Sequence, residues 1–168
     1  MSQTMLPQLH AAAGELGWSL REEVADDFDF LRRLYCEDRA QEFGFLPEPQ
    51  QQLLLTQQFC ARYASYRAVD GRWFALLIDA SDHPIGHLAL AFGPPALHMI
   101  DIALVASARG NGAGSGLLRG LIADAKGQGW DMELHVLIDS PAGRLYQRLG
   151  FEAVSESPPY RAMRRRHP

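Results

Sequence analysis

A glycine-rich segment, Arg109-Gly110-Asn111-Gly112-Ala113-Gly114-Ser115-Gly116, limits the possible functions of this chain more than any other feature. This segment, the glycine loop, lies between an apolar run typical of a buried strand and a stretch with the apolar spacing of an amphipathic helix. A helix that begins there leaves backbone N–H groups unpaired at its positive end, and glycines allow an anion to approach them. Arg109 adds a positive charge. The glycine loop therefore predicts a pyrophosphate site, and tight turning alone is the alternative.

The residues around the glycine loop distinguish between classes of phosphate site. No Lys-Ser or Lys-Thr pair follows the glycines, as a nucleoside-triphosphate P-loop requires. A dinucleotide site requires G-x-G-x-x-G and an acidic residue about 20 positions later. Asp131 and Glu133 lie near that distance, but they open the next strand, and the glycine spacing does not fit. A dinucleotide-binding protein is therefore only the third hypothesis.

Apolar periodicity predicts alternating strands and helices that form one α/β unit. Strands are expected over 18–24, 73–78, 85–92, 97–105, 132–138, 151–155 and 160–164. Helices are expected between the strands: from Asp26 to before Gly44, from the prolines at 47 and 49 to about 68, from 117 to Gly127, and over 141–149. Residues 1–16 are expected to form a flexible polar lead-in. The strand over 97–105 is apolar on both faces, which is typical of a central strand covered by helices on each side.

Composition and charge narrow the class of protein. The 168 residues include 16 Lys and Arg against 20 Asp and Glu, so the formal charge of −4 argues against a nucleic-acid partner. The apolar content of 47% is that of a globular protein, and the N-terminal residues lack the pattern of a signal peptide or a membrane span. We therefore expect a cytoplasmic protein with no membrane partner.

Two stretches resemble the signature motifs of the GNAT acyltransferases, the Gcn5-related N-acetyltransferase superfamily. The first is Arg109-x-x-Gly112-x-Gly114 after a β-strand, and the second is Asp139-x-x-Ala142-x-x-Leu145-Tyr146-x-Arg148-Leu149-Gly150-Phe151. The order of the predicted elements over about residues 17–166 is also the family's arrangement. The resemblance implies a single α/β (α+β) domain over residues 17–168, with a mixed central sheet of six to seven strands and helices on both faces.

The resemblance also implies acetyl-CoA as co-substrate and assigns residues to it. Backbone amides from about Asn111 to Ser115 would hold the coenzyme A pyrophosphate, with Arg109 at its edge, and the backbone of Leu104 and Val105 would pair with the pantetheine arm. Asp139 stands where the family commonly has Asn, and a carboxylate cannot donate a hydrogen bond unless it is protonated. The expected cofactor-binding residues are Leu104, Val105, Arg109, Gly110, Asn111, Gly112, Ala113, Gly114, Ser115 and Asp139.

Acyl transfer to an amine requires an acceptor for the ammonium proton and an acid for the leaving thiolate. Asp101 and His98 are candidates for the first role, and a strand's period of two points them to opposite faces unless a bulge intervenes. A buried structural hydrogen bond is the alternative for Asp101. Periodicity alone explains Tyr146 as a packed tyrosine, whereas the resemblance implies that it protonates the thiolate. Asp101 and Tyr146 are the predicted catalytic residues.

The other reactive or charged residues give weaker indications of function. Cys36 and Cys60 have no histidine at a diagnostic spacing, so direct attack on the thioester is preferred over a covalent acyl-cysteine. His83 and His87 are separated by Pro and Gly, which remove the helical geometry of a metal pair, and we predict no metal. Acidic and aromatic residues between predicted helices one and two favour a cationic or peptide amine as acceptor; they are Asp38, Glu42, Phe43 and Phe45.

The primary hypothesis is an N-acetyltransferase that moves the acetyl group of acetyl-CoA to a primary amine by direct attack. The acceptor is expected to be a small-molecule or peptide amine, and the protein a monomer or homodimer. A coenzyme A-binding sensor or interaction module without chemistry is the second hypothesis, because Asp139 departs from the family pattern and no glutamate base is evident.

Overall fold

A computed structural model describes residues 5–167 of the chain. The helices are α1 (Pro7–Glu15), α2 (Phe28–Arg39), α3 (Glu48–Arg67), α4 (Ala113–Gly127) and α5 (Pro141–Arg148). The strands are β1 (Ser19–Glu22), β2 (Arg72–Ile78), β3 (Pro84–Gly93), β4 (Ala96–Leu104), β5 (Asp131–Leu137), β6 (Glu152–Ser157) and β7 (Tyr160–Arg165). Each strand predicted from apolar periodicity is present, with bounds that differ by a few residues.

The strands form a seven-stranded sheet in the order β1-β2-β3-β4-β5-β7-β6. Neighbouring strands are antiparallel except β4 and β5, which are parallel. The connection from β4 to β5 contains α4, as a parallel pair requires a crossover rather than a tight turn. The predicted single α/β domain with a mixed sheet is therefore confirmed.

Alternation along β2 shows how helices cover both faces of the sheet. Leu77 packs in the larger apolar cluster, which includes residues of α1, α4 and α5. Its neighbours Leu76 and Ile78 pack in a second cluster with Leu31 of α2 and Phe59 of α3. Because successive strand side chains point to opposite faces, the two clusters lie on opposite sides of the sheet. Helices cover both faces, as predicted.

The N-terminal segment differs from the prediction of a flexible lead-in. Residues 1–4 lie outside the described residues, but residues 7–15 form α1, and Leu6, Leu9 and Ala13 are buried. The helix has a weak apolar pattern of its own, since Gln, His and Gly interrupt it. Its stability therefore depends on packing against the rest of the domain rather than on local sequence.

Two features of α4 attach α1 to the domain. The buried Asp124 carboxylate accepts hydrogen bonds from the backbone N–H groups of Gln8, at 3.0 Å, and Leu9, at 2.9 Å. These donors have no intrahelical acceptor because they belong to the first turn of α1. One turn earlier on α4, Gly120 provides the space for close approach. A Cβ there would lie 2.8 Å from the Gln8 carbonyl oxygen and 2.9 Å from the Leu9 Cα.

We expect Gly120→Ala to destabilise the protein by about 1–3 kcal/mol, because the added methyl group meets backbone atoms that cannot rotate away. Gly116→Ala is the matched control, since it lies on the same helix and its Cβ would meet nothing within 4 Å. The control should gain up to about 1 kcal/mol from helix propensity. Urea unfolding measures both variants. Equal stability of the two would contradict the close approach of α1 and α4.

Candidate active site

The glycine loop forms the turn between β4 and α4. Three consecutive residues have positive φ angles: Gly110 at 86°, Asn111 at 50° and Gly112 at 77°. Glycine and asparagine tolerate this left-handed conformation better than other residues. The turn reverses the chain, and α4 begins at Ala113, earlier than its apolar stripe predicts. The last residues of the glycine loop therefore lie in the first turn of the helix.

The N-terminus of α4 presents unpaired backbone donors to open space. The N–H of Gly116 donates to the Gly112 carbonyl at 2.9 Å, so the N–H groups of Gly114 and Ser115 precede the first intrahelical bond of the α-helix. Within residues 5–167, no side chain caps this helix. A Cβ at Gly112 or Gly114 would meet nothing within 4 Å. Donors, space and the positive helix end together fit an anion such as a pyrophosphate.

Arg109 is held at the start of the glycine loop by two acceptors. Its Nε donates to the Leu104 carbonyl at 2.8 Å, and its Nη2 donates to Asp38 Oδ1 of α2 at 2.9 Å. About half of the Arg109 side chain is exposed. The guanidinium therefore adds positive charge beside the helix end in a fixed position, although Asp38 offsets part of that charge.

The backbone at the end of β4 is partly engaged within the protein. The Val105 N–H donates to the Ile85 carbonyl of β3 at 2.9 Å, so this donor is not available to a pantetheine arm. Successive residues of a strand direct their backbone groups to opposite sides, and Leu104 therefore faces away from β3. The Leu104 carbonyl accepts from Arg109, and the Val105 carbonyl accepts from the Ala108 N–H at 3.0 Å. The predicted contacts of the pantetheine arm with Leu104 and Val105 are thus reduced chiefly to the Leu104 N–H.

The parallel strands β4 and β5 separate from each other halfway along the sheet. Their pairing is confined to Ala96–Met99 opposite Asp131–Leu134. Beyond that point β5 continues to pair with β7, and β4 continues to pair with β3. On β4, Met99 lies opposite Leu90 and Asp101 lies opposite Ala89, which leaves Ile100 as the extra residue of a β-bulge.

The bulge and the separation of the strands create a groove of about 970 Å³, here called the β4–β5 groove. His98 and Asp101 both line it, because the extra residue between them interrupts the alternation of faces. His98 is paired with Glu133 of β5, with 2.6 Å between Nε2 and Oε2. The groove is also lined by three arginines and a tyrosine: Arg39, Arg62, Arg72 and Tyr66.

Asp101 is a charged residue in this groove, and two groups hold it in that state. Arg62 Nη2 lies 3.0 Å from its Oδ2, and His87 Nδ1 lies 3.8 Å from the same oxygen. Burial acts to raise the pKa of Asp101, but the nearby His87 imidazole and the charge of Arg62 outweigh burial and hold the pKa below its usual value. The carboxylate is therefore ionised at neutral pH, with 32% of its side chain exposed.

Behind Asp101, a series of ionisable groups extends into the protein. His87 Nε2 lies 3.3 Å from Glu23 Oε2, a contact that is not aligned as a hydrogen bond, and Glu23 also contacts Arg67. Burial lowers the pKa of Arg67 to about 10, so it remains charged at neutral pH. Phe74 stacks on His87 with ring planes 9° apart. The sequence did not predict this series of groups, because its members come from separate elements: β3, α3 and the segment at the end of β1.

Tyr146 is packed inside the domain. It is 8% exposed and meets Phe151 edge to face, with 5.8 Å between ring centroids. Burial, and to a lesser degree the charge of Asp101, raises the pKa of Tyr146 to about 12. The hydroxyl is therefore protonated throughout the neutral range. Among the described residues, Tyr146 is not one that lines the β4–β5 groove, so its predicted role as an acid stays a prediction.

The second motif begins with a capped helix. Ser140 Oγ accepts from the Ala142 N–H at 3.2 Å and forms the N-cap of α5. Ser140 lines the β4–β5 groove, whereas its neighbour Asp139 is not among the described residues that do. The predicted contact of Asp139 with the cofactor therefore stays a prediction.

The acidic residues that favoured a cationic acceptor are engaged by arginines. Asp38 is paired with Arg109 at 2.9 Å, and Glu42 with Arg39 at 3.4 Å. Phe45 is 79% exposed and belongs to no apolar cluster of the described residues. These side chains therefore give little support to a polyamine site.

The described part of the chain contains two free thiols, Cys36, which is buried, and Cys60, which is exposed. Burial raises the pKa of the Cys36 thiol. Over residues 5–167, no group of three His, Cys, Asp or Glu side chains is arranged to hold a metal ion. No helix in that range is long and apolar enough to cross a membrane.

Solved structures share this fold at low sequence identity. PaiA N-acetyltransferase from Thermoplasma acidophilum, in complex with coenzyme A, superimposes with a TM-score of 0.67 at 15% identity, over 89% of this chain and 98% of that one. A chimera of the spermidine N-acetyltransferase SpeG from Vibrio cholerae and hSSAT gives 0.63 at 17% identity, over 90% and 96%. Histone acetyltransferase HPA2 and related acetyltransferase from Corynebacterium glutamicum gives 0.61 at 22%, over 90% and 97%.

The family is identified by comparison of the sequence with family models. No curated protein matches the chain. A family model described as the Acetyltransferase (GNAT) family matches residues 28–151, which run from the start of α2 through both predicted motifs. This match covers most of the chain, and it includes the glycine loop, the separated strands and α5. The chain therefore belongs to the GNAT acetyltransferase family.

Proposed function

We propose that the protein transfers an acetyl group from acetyl-CoA to a primary amine by direct attack on the thioester. The observation that carries the proposal is that one strand, β4, leads from the groove with Asp101 to the anion-binding glycine loop. A cofactor with a pyrophosphate at one end and a reactive group at the other is suited to this arrangement. The acceptor is a small-molecule or peptide amine, and the protein acts in the cytoplasm as a monomer or homodimer.

The residues present fit coenzyme A, whose acetyl thioester supplies an activated acyl group. The pyrophosphate is held by backbone N–H groups between Asn111 and Ser115, chiefly those of Gly114 and Ser115, because the Ala113 N–H already donates to the Gly110 carbonyl at 3.1 Å. Arg109 adds charge at the edge. At the end of β4 the Leu104 N–H binds the arm, and Asp139 contributes from the start of α5.

The chain supplies groups for the two proton movements that accompany bond formation and cleavage. An alkyl ammonium has a pKa near ~10, so it must first lose a proton, which passes to solvent, before the nitrogen attacks. Asp101, with His87 behind it, accepts a hydrogen bond from the neutral amine and takes up the second proton of the nitrogen as the C–N bond forms. Tyr146 retains its proton up to about pH 12 and donates it toward the sulfur as the C–S bond breaks.

A coenzyme A-binding protein without chemistry is the alternative function. The burial of Tyr146 away from the β4–β5 groove favours it, because an acid must reach the reacting sulfur. Release of free thiol from acetyl-CoA that depends on an added amine separates the two functions.

We expect acetyl-CoA and coenzyme A, but not NAD, to bind in calorimetric titration, and Gly114→Asp to weaken binding at least about tenfold, or about 1.4 kcal/mol. The new carboxylate lies among the donors and repels a pyrophosphate, yet an acid in the first turn of a helix does not destabilise it. Gly14→Asp is the matched control, since it adds the same charge at an exposed glycine of α1. Equal affinity of both variants would exclude the glycine loop as the site.

We expect Tyr146→Phe and Asp101→Asn each to lower kcat with an accepted amine by about 10²-fold, while the KM for acetyl-CoA changes little. Tyr146→Phe retains the ring packed on Phe151, so its melting temperature should stay close to that of the wild type. Because the pKa of Asp101 is held low and that of Tyr146 is about 12, neither group titrates between pH 6 and 9. Asp101→Asn should therefore lower the whole pH–rate profile without moving its limbs. Unchanged turnover in both variants would refute these roles.

A further inference from the structure

Three arginines that line the β4–β5 groove lie on the faces of two tyrosines, of which Tyr66 also lines the groove and Tyr35 belongs to the adjoining cavity. The Arg39 and Arg62 guanidinium carbons lie 4.9 Å and 5.6 Å from the Tyr35 ring centroid. Those of Arg62 and Arg72 lie 4.8 Å and 5.1 Å from the Tyr66 centroid. An arginine stacked on an aromatic face loses little further freedom when it binds a ligand. The groove therefore contains a row of positioned cations.

The three guanidinium groups differ in how far the protein neutralises them. Arg62 is paired with Asp101 at 3.0 Å. Arg39 is paired with Glu42 at 3.4 Å, but Glu42 is 45% exposed, and such surface pairs contribute little. Arg72 Nη1 donates to the Tyr66 carbonyl at 3.1 Å, and within residues 5–167 no carboxylate lies within 4 Å of its guanidinium. Arg72 thus retains charge and donors for a ligand.

The charge of the groove differs from the charge of the chain. The groove is lined by the three arginines and two aspartates, Asp70 and Asp101, whereas the whole chain carries a formal charge of −4. A cleft that is more positive than the protein around it concentrates anions. The one acid with a defined role there, Asp101, lies beside Arg62 at the β-bulge of β4. The groove therefore contains one arginine, Arg62, that is paired with its acid, and two more, Arg39 and Arg72, that are not paired with Asp101.

We propose that the acceptor is an amine that also carries an oxyanion, a carboxylate or a phosphate. This inference rests on the proposed function and names its substrate class. Arg72 and Arg39 bind the oxyanion, Asp101 binds the amino end, and Tyr66 contacts the part between them. Arginine forms two parallel hydrogen bonds with such oxyanions, which fixes orientation as well as charge. A polyamine has no group for the arginines and brings further positive charge against them.

The test compares acceptors that differ only in the anion. Each amino acid is paired with its decarboxylated amine, O-phosphoethanolamine is paired with ethanolamine, and spermidine represents polyamines. Thiol release from acetyl-CoA and the mass of the acetylated product are measured with each. We expect at least one anionic member to exceed its partner by about 30-fold in kcat/KM. The carboxylate and phosphate arms show which oxyanion is recognised.

The variant Arg72→Gln should raise the KM for the preferred anionic acceptor at least tenfold. It should leave the KM for acetyl-CoA within about twofold, because binding of the cofactor does not depend on the oxyanion contact. Arg72→Lys should recover part of the loss, since it retains the charge without the paired donors. Arg33→Gln is the control, because Arg33 is exposed on α2 and lies outside the groove.

Faster acetylation of spermidine or of the decarboxylated partners would overturn the inference and leave acetyl transfer standing. Failure of every anionic amine to react, with coenzyme A bound in calorimetry, would also overturn it. An Arg72→Gln variant with an unchanged KM for the anionic acceptor would remove Arg72 from the site. Loss of coenzyme A binding by the wild type would instead contradict the proposed function.

Discussion

The short parallel pairing of β4 with β5 is the constraint on which the site depends. Only Ala96–Met99 of β4 pairs with β5, and beyond it each strand pairs with its outer neighbour alone. A sheet that separates in its middle has two inner edges with backbone groups directed at each other across a gap. The sheet remains continuous because four residue pairs hold its halves together. The groove and the access to Asp101 follow from this arrangement together with the bulge at Ile100.

The apolar periodicity of the chain was sufficient to predict its strands and most of its helices, because burial of a face is a local pattern. The tight turn of the glycine loop was predicted as well, since the positive φ angles at Gly110 and Gly112 favour glycine. The β-bulge at Ile100 was only an allowed exception in the prediction. Nothing in the local sequence specifies it, because it depends on the register against β3.

Contacts between distant segments were the part that the sequence did not predict. Asp124 and Gln8 are 116 positions apart, so the capping of α1 could not be inferred from the composition of residues 1–16. The sequence pattern did not distinguish Arg62 from the other polar residues of a long helix, and it raised His87 only as a possible metal ligand. Arg62 reaches Asp101 from α3, and His87 reaches it from the neighbouring strand β3. Asp38 was misleading for the same reason, since its partner Arg109 lies in the glycine loop, whereas Glu42 is paired with Arg39 only three positions earlier.

Attachment of α1 to α4 has a further consequence for ligand binding. The first turn of α4 supplies the donors of the proposed pyrophosphate site, and the same helix, one to two turns later, supplies Gly120 and Asp124 to α1. A ligand that stabilises the start of α4 stabilises a helix whose other contacts hold the N-terminal segment. Affinity for the anion and protection of residues 7–15 from local unfolding are therefore linked equilibria, so that a change in one is transmitted to the other.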